Sequence, residues 1–433
     1  MEKYQQYVNS GFEWIGDIPA QWNNLRLRFV CEFRNGYTPS KANPDFWEDG
    51  TIPWYRMEDI RDSGRKLNEA KQYVTKDAIK GGGLFEAGSF ILATTATIGE
   101  HAVLIVDSLA NQRFTNLKIR KSLSDSLLRD YFFYYLFVID DYCKATTKTS
   151  TFPAVSMELL KNCHVVFPLV QEQQAIVDYL DKKCSEIDNV ISAQQKRIAL
   201  LQEFKQSVIT HAVTKGLDPN VEMKDSGVEW IGHIPSNWEI KPLKYMAVLS
   251  PKISACDINE NIVSYVPMEN VRNDELKEDE ISIAELSSGL NSFSKGDILM
   301  AKVTPCFENG NIAIANNISH NIGFCSSELF VIRGKNVNRR YLFYTLQNED
   351  YKQRCTSTLT GTGGLKRVSG HFVRNCMMPV PSKNEQDNIV SYLDEKCASL
   401  NSSIFKAQHQ VELLQEYKQS LITEVVTGKR KVS

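Results

Sequence analysis

Three kinds of side-chain spacing in this 433-residue chain could do chemistry, and each is incomplete. Asn43-Pro44-Asp45-Phe46 is one residue away from the Asn/Asp-Pro-Pro-Tyr/Phe arrangement with which amino-methyltransferases hold a target base. The second proline is missing, however, and no glycine-rich cofactor loop precedes it. Glu222-Met-Lys224 has the Glu-x-Lys spacing of many nucleases, but its acidic partner, Asp218, is too close by, in a linker-like stretch. Seven histidines occur without HExxH or any paired metal spacing, and ten cysteines without CxxC or a Cys/His cluster at zinc spacing. The expectation is a chain with no catalytic residue and no metal ligand set, whose cysteines are reduced packing residues of a cytoplasmic protein.

Charge is the chemistry that remains. The net charge of −2 and a pI near 6.4 argue against a uniformly basic nucleic-acid protein. Locally the balance differs: Arg333 to Arg374 holds nine Lys/Arg against Glu349 and Asp350, and Arg113 to Lys148 seven against four Asp. Two loops stand out within these stretches. Thr146 to Thr151, TTKTST, is short, polar and cationic. Thr360 to Arg367, TGTGGLKR, combines glycine freedom with two cations, but lacks the Gly-Lys-Ser/Thr of a nucleotide-binding loop.

The elements that must position these residues come in duplicate. Ser10 to Pro19, SGFEWIGDIP with Trp22 beyond it, returns as Ser226 to Pro235, SGVEWIGHIP with Trp238. A repeat of half the chain means duplication of a whole domain, not a solenoid. Trp14, Trp22, Trp230 and Trp238 read as packing at the base of each domain. Trp54 fits a packing residue and a base-stacking platform about equally. Gln171 to Thr214 recurs as Asn384 to Thr427, and the apolar residues of both fall at alternating steps of three and four, the seam of a coiled-coil helix. Between frame and helix lies a body of about 150 residues, in which Gly50 to Tyr55, Gly88 to Gly99 and Gly296 to Thr304 read as strands with turn boundaries. Leu128 to Phe137 and Arg340 to Gln347 read as matching helices, with Tyr131 opposite Tyr341. Pro168 and Pro381 close each body and let a new helix start.

The hydrophobic content of 42% is that of an ordinary globular protein, and the richest apolar run, Tyr131 to Ile139, is too short to span a membrane. The N-terminus lacks a basic region followed by an apolar core, so no export signal is expected.

In this order the pieces resemble the specificity subunit of type I restriction-modification systems. The resemblance rests on the paired GxEWIGxIPxxW segments, on Gly36-Tyr-Thr-Pro-Ser40 followed by Ile52-Pro-Trp54, and on Asn111-Gln112. It rests also on the Pro-x-x-x-Glu-Gln leads into both helices, Pro168 with Glu172-Gln173 and Pro381 with Glu385-Gln386. It covers essentially the whole length. It implies an α+β fold: two similar globular α/β target-recognition domains separated by two long antiparallel coiled-coil helices, in a pseudo-twofold internal repeat. The expected boundaries are 1–168 for the first recognition domain, 169–215 for the first helix, 216–382 for the second domain, and 383–433 for the second helix with its basic tail. It further implies a non-catalytic subunit that reads a split site in double-stranded DNA and docks methyltransferase subunits, two of them, and restriction subunits. S-adenosylmethionine, ATP and Mg would belong to those partners, for adenine-N6 methylation and ATP-consuming cleavage, with none bound by this chain.

Base readout uses Arg or Lys toward guanine, Asn or Gln toward adenine, and Ser or Thr toward either. The candidates in the first body are Lys41, Arg56, Arg61, Thr94, Thr97, Gln112, Lys148, Thr149 and Thr151. In the second they are Lys302, Thr304, Arg354, Thr356, Thr360, Lys366 and Arg367. The helix seam is expected at Ile187, Ile191, Ile198 and Leu201 against Leu400, Ile404, Val411 and Leu414. A 44-residue helix is about 66 Å long, so its length would fix the unread spacer. One heptad added to both helices, about 10 Å, should lengthen that spacer by about 3 base pairs, which methylation-site sequencing would read. Two other readings remain open: a non-catalytic coiled-coil scaffold, and a stand-alone DNA methyltransferase or nuclease.

Overall fold

The computed structural model describes residues 3–147, 154–253, 261–361 and 365–432. The chain divides into two compact units, Met1–Gln194 with His409–Ser433, and Gln195–Gln408. Both divisions fall inside the two long helices, Val170–Lys215 and Lys383–Val426, so each unit holds one body and a half of each helix.

In the first unit a five-stranded mixed sheet runs in the order Cys31–Asn35, Phe114–Ile119, Phe90–Ala93, His101–Leu104, Lys66–Leu67. Its central strands are buried along their length, as their β-branched and aromatic residues require. In the second unit the corresponding sheet runs Ala247–Leu249, Leu329–Gly334, Ile298–Ala301, Ile312–Ile314. The register is the same: Leu117 faces Phe90 in one, Ile332 faces Ile298 in the other. Entry and exit strands close each body at its base, Asn23–Arg26 with His164–Phe167 and Glu239–Pro242 with Met377–Val380.

The Pro-x-x-x-Glu-Gln leads have a structural meaning. Gln173 and Gln386 are buried at the start of each long helix. The Gln173 amide donates to the Pro168 and Ser126 carbonyls and accepts from the Leu128 backbone N–H. Gln386 donates to the Pro381 carbonyl and accepts from the Asn338 N–H. Leu128 and Asn338 are the N-caps of the body helices Arg129–Thr146 and Arg339–Leu346. One side chain thus satisfies orphan groups at two helix starts and fixes their relative position.

Within each unit the far end of the other helix returns to the body. The Tyr131 hydroxyl lies 3.0 Å from the Val166 carbonyl and 2.9 Å from that of Val426, near the start of the first helix and the end of the second. Asp188, further along, accepts from Lys418 at 2.7 Å, so the two segments run antiparallel. In the second unit Tyr341 approaches the Pro379 and Val213 carbonyls, and Lys205 donates to Asn401. The expected seam is deepest beside a body. Ile187 and Ile191 are buried with Val411 and Leu414 packed against their cluster. Of the others Ile404 is buried, and Ile198, Leu201 and Leu400 are half-buried.

The matching body helices differ beyond their first two turns. The first continues for 18 residues. The second stops at Leu346, because the Asn348 side chain caps a new helix, Glu349–Thr356, by accepting from the Tyr351 N–H.

Candidate nucleic-acid interface

The first body opens a cleft of about 570 Å³ at one edge of its sheets. Lys41, Arg56, Arg61, Thr97 and Gln112 line it, joined by Thr38, Trp54, Asn111 and Arg113. Glu58 is the one acid among four Lys/Arg, so the cleft is cationic. Backbone geometry builds it. Gly36 donates to the Phe114 carbonyl and Tyr37 to that of Ala110, bringing the Gly36 loop flat against the strand. A Cβ at Gly36 would lie 2.1 Å from the Asn111 oxygen, so only glycine fits.

Side-chain tethers then orient the lining. The Thr38 hydroxyl donates to the Gln112 side-chain oxygen Oε1, and the Gln112 side-chain NH2 has no partner among the described residues. Arg56 pairs with Glu58, and Arg61 meets Glu100 at 3.4 Å. Lys41 and Arg113 are exposed and have no ion-pair partner among the described residues. Thr94 is buried, 7% exposed, with its hydroxyl beside those of Thr115 and the Arg113 carbonyl; it supports the cleft from below. Trp54 is 3% exposed and donates its indole N–H to the Tyr37 carbonyl, so it forms the wall and offers no open face for stacking. Lys148, Thr149 and Thr151 lie outside the described residues.

The second body repeats the backbone of this corner. In the first, Asn111 N–H donates to Tyr55, the Arg113 N–H to the Asn111 side chain, Thr94 N–H to the Arg113 carbonyl, and Val155 N–H to the Thr94 carbonyl. In the second, Ser326 donates to Val266, Glu328 to the Ser326 hydroxyl, Lys302 to the Glu328 carbonyl, and Val368 to the Lys302 carbonyl. By these bonds Arg113 corresponds to Glu328, Thr94 to Lys302, and Ala154 to Arg367. Thr95 bridges to Ala154 as Val303 bridges to Arg367.

Around this corner the structure gathers Lys302, Thr304, Thr360, Lys366 and Arg367. Lys366 N–H donates to the Thr304 hydroxyl, and Thr360 and Arg367 exchange two backbone bonds. The Arg367 guanidinium gives Nε–H and Nη2–H to the two Glu328 oxygens, at 2.9 and 2.8 Å. That contact is the main reason the Glu328 carboxyl is held below the usual carboxylate range. Arg354 and Thr356 fall elsewhere. Arg354 pairs with Glu229 of the repeated Trp-Gly-Pro signature, and the Thr356 hydroxyl donates back to the Lys352 carbonyl of its own helix. Sequence reasoning passed over Arg113 and Glu328; the signal for both was adjacency to a turn, Asn111-Gln112 in one body and Ser326-Ser327 in the other.

The four frame tryptophans divide. Trp22 and Trp238 are buried, and the Trp238 N–H donates to Glu385, whereas Trp14 is 43% exposed against the edge of Tyr142. The described cysteines are free thiols, eight of nine buried. Among the described residues no group of three or more His, Cys, Asp or Glu is placed to hold a metal ion, and no helix is long and apolar enough to cross a membrane.

Comparison with known proteins follows the same division. The family model described as the type I restriction modification DNA specificity domain matches twice, over residues 19–199 and 235–409. The EcoprrI specificity subunit of Escherichia coli is 41% identical over 172 residues, a match covering 38% of this chain and 42% of that protein. The chain thus spans less than half the length of that relative, and 27% of the EcoAI specificity subunit of the same species. The MjaVIII specificity subunit of Methanocaldococcus jannaschii is 24% identical over 424 residues, covering 96% of this chain and 94% of that one. A chain in a solved structure concerned with complex assembly and conformational transition of the type I R-M system has the same fold, with a TM-score of 0.67, 15% identity, and coverage of 95% and 99%. With the domain present in both halves and together spanning most of the sequence, the chain belongs to the type I restriction modification DNA specificity family.

Proposed function

We propose that this chain is the sequence-specificity subunit of a type I restriction-modification complex, acting in the cytoplasm and reading one half of a bipartite DNA site with each body. In this reading the chain is not itself catalytic. Two methyltransferase subunits dock on the duplicated frame and supply S-adenosylmethionine-dependent methylation of adenine N6. Restriction subunits supply cleavage with ATP and Mg.

One observation carries the reading. The two bodies build the same corner from the same backbone bonds, and place different cationic and amide side chains at its outward positions: Arg56, Gln112 and Arg113 in one, Lys302, Lys366 and Arg367 in the other. Direct readout needs that combination, a fixed backbone beneath interchangeable donors and acceptors. A scaffold would need the helices but not two divergent cationic corners.

The test is a gel shift of the purified chain, alone and with its methyltransferase partner, together with mapping of methylated adenines in a host carrying the system. A split motif bound in preference to other DNA is expected. Binding without sequence preference in both preparations overturns the reading in favour of a scaffold.

A further inference from the structure

We propose that Arg367 reads a guanine in the half-site of the second body, with Glu328 as the positioning residue that aims it. The inference rests on the DNA-reading function proposed above and goes beyond it by assigning a base to a residue.

Arg367 is fixed at three levels. Its backbone is pinned on one side by the two bonds to Thr360 and on the other by the bridge to Val303. Its neighbour Val368 is buried and bonded to Lys302, so the Cα cannot drift. Its side chain then gives one edge of the guanidinium, Nε–H and one Nη2–H, to both oxygens of Glu328. Glu328 is itself held by the Ser326 hydroxyl and by Lys302 through its backbone. The opposite edge, both Nη1–H bonds and the second Nη2–H, has no partner among the described residues. Two parallel donors on a rigid plane are what guanine O6 and N7 accept in the major groove.

A phosphate contact is the competing use of an exposed arginine, and Glu328 decides against it. A carboxylate in direct contact cancels most of the attraction for a phosphate and repels it at short range. The same carboxylate costs a base contact little, because base recognition depends on direction more than on net charge. Position supports the assignment as well: Arg367 reaches, from the loop across it, the corner that corresponds to the one lined by Arg113 in the cationic cleft of the first body.

The experiment maps methylated sites, and measures binding to a randomised-site DNA pool, for the assembled complex carrying wild-type chain, Arg367→Lys, Arg367→Ala or Glu328→Gln. Arg367→Lys keeps the charge and loses the fork. Both Arg367 variants should lose about tenfold or more discrimination at one G·C pair of one half-site. Glu328→Gln should weaken discrimination at that same pair, and the other half-site should be unchanged in every variant. Retention of the full motif by Arg367→Lys, with only a general loss of affinity in Arg367→Ala, overturns the guanine assignment and leaves the DNA reading standing. A wild-type complex with no sequence preference overturns the DNA reading itself.

Discussion

The corner that follows strand Phe90–Ala93 and the one that follows Ile298–Ala301 share a backbone and differ in their outward chemistry. Each is closed by the same sequence of main-chain bonds, so register and turn geometry do not depend on the exposed side chains. In the first body two of the four cleft cations are paired, Arg56 with Glu58 and Arg61 with Glu100, while Lys41 and Arg113 have no ion-pair partner among the described residues. In the second body a hairpin closes on the corner, and its arginine is clamped by a carboxylate. The difference teaches that the outward side chains of this corner can change while the backbone bonds beneath them stay the same. A cation reaches this corner from the turn before strand Phe114–Ile119 in one body, at Arg113, and from the loop across it in the other, at Arg367.

The comparison breaks most severely at Gly36. Gly36→Ala drives a Cβ into the Asn111 and Ala110 carbonyls, and should cost about 2–3 kcal/mol and abolish recognition of the first half-site. Denaturant unfolding with site mapping reads both, and loss of the second half-site as well would show that the bodies do not act independently. Replacing Arg56 and Arg113 together by Ala should come next, lowering affinity about tenfold or more and relaxing the first half-site alone. Competition binding with half-site variants checks this; an equal loss on every sequence would make both residues phosphate contacts.

Lys366→Ala should have a smaller, sequence-independent effect. Lys366 is exposed and carries no carboxylate partner among the described residues, unlike its neighbour Arg367. The slope of log affinity against log salt should fall by about 1. An unchanged slope removes the second-body loop from the interface.

The smallest expected effect separates the bodies by pH. His101 is fully buried in the first sheet beside Asp140 and Arg65, while the same sheet position in the second body is Ile312. Burial lowers the His101 pKa, with the Arg65 charge adding to this against the pull of Asp140. The unfolded chain therefore binds the proton more readily. Stability from this group is present above about pH 6.5 and lost as pH falls below it toward the depressed folded value. Thermal unfolding of wild type against His101→Asn should show a steeper acid loss in wild type. Parallel curves would assign the acid sensitivity to other groups.

Much of the frame was legible in the sequence because its signals are local. A heptad seam is a one-dimensional pattern, and the helices begin and end within one residue of the limits read from it. The Glu-Gln leads were visible as motifs, but not as clamps, since their partners Leu128 and Asn338 are nearly fifty residues upstream. Residue type alone picked out five side chains that the structure gathers around one cleft. Lys41, Arg56, Arg61, Thr97 and Gln112 come from four separate segments, and charge and turn chemistry were enough to select them. Thr94 and Trp54 show the limit of that method. Both have suitable chemistry, and burial removes both from the surface. Arg354 shows another, since a basic residue near a cationic loop is spent on Glu229 at the base of the domain.

By itself the sequence determined the duplication, the two long helices and the residue types with the chemistry to contact DNA. These rest on periodicity, repetition and side-chain type, which do not need a partner to be recognised. Only the tertiary structure decided which of those residues share a corner, that Glu328 stands where the other body has Arg113, and which edge of Arg367 is left open. The Arg367–Glu328 contact spans 39 residues of chain, and the backbone bonds that align the two corners join separate strands and loops, so no local pattern encodes them.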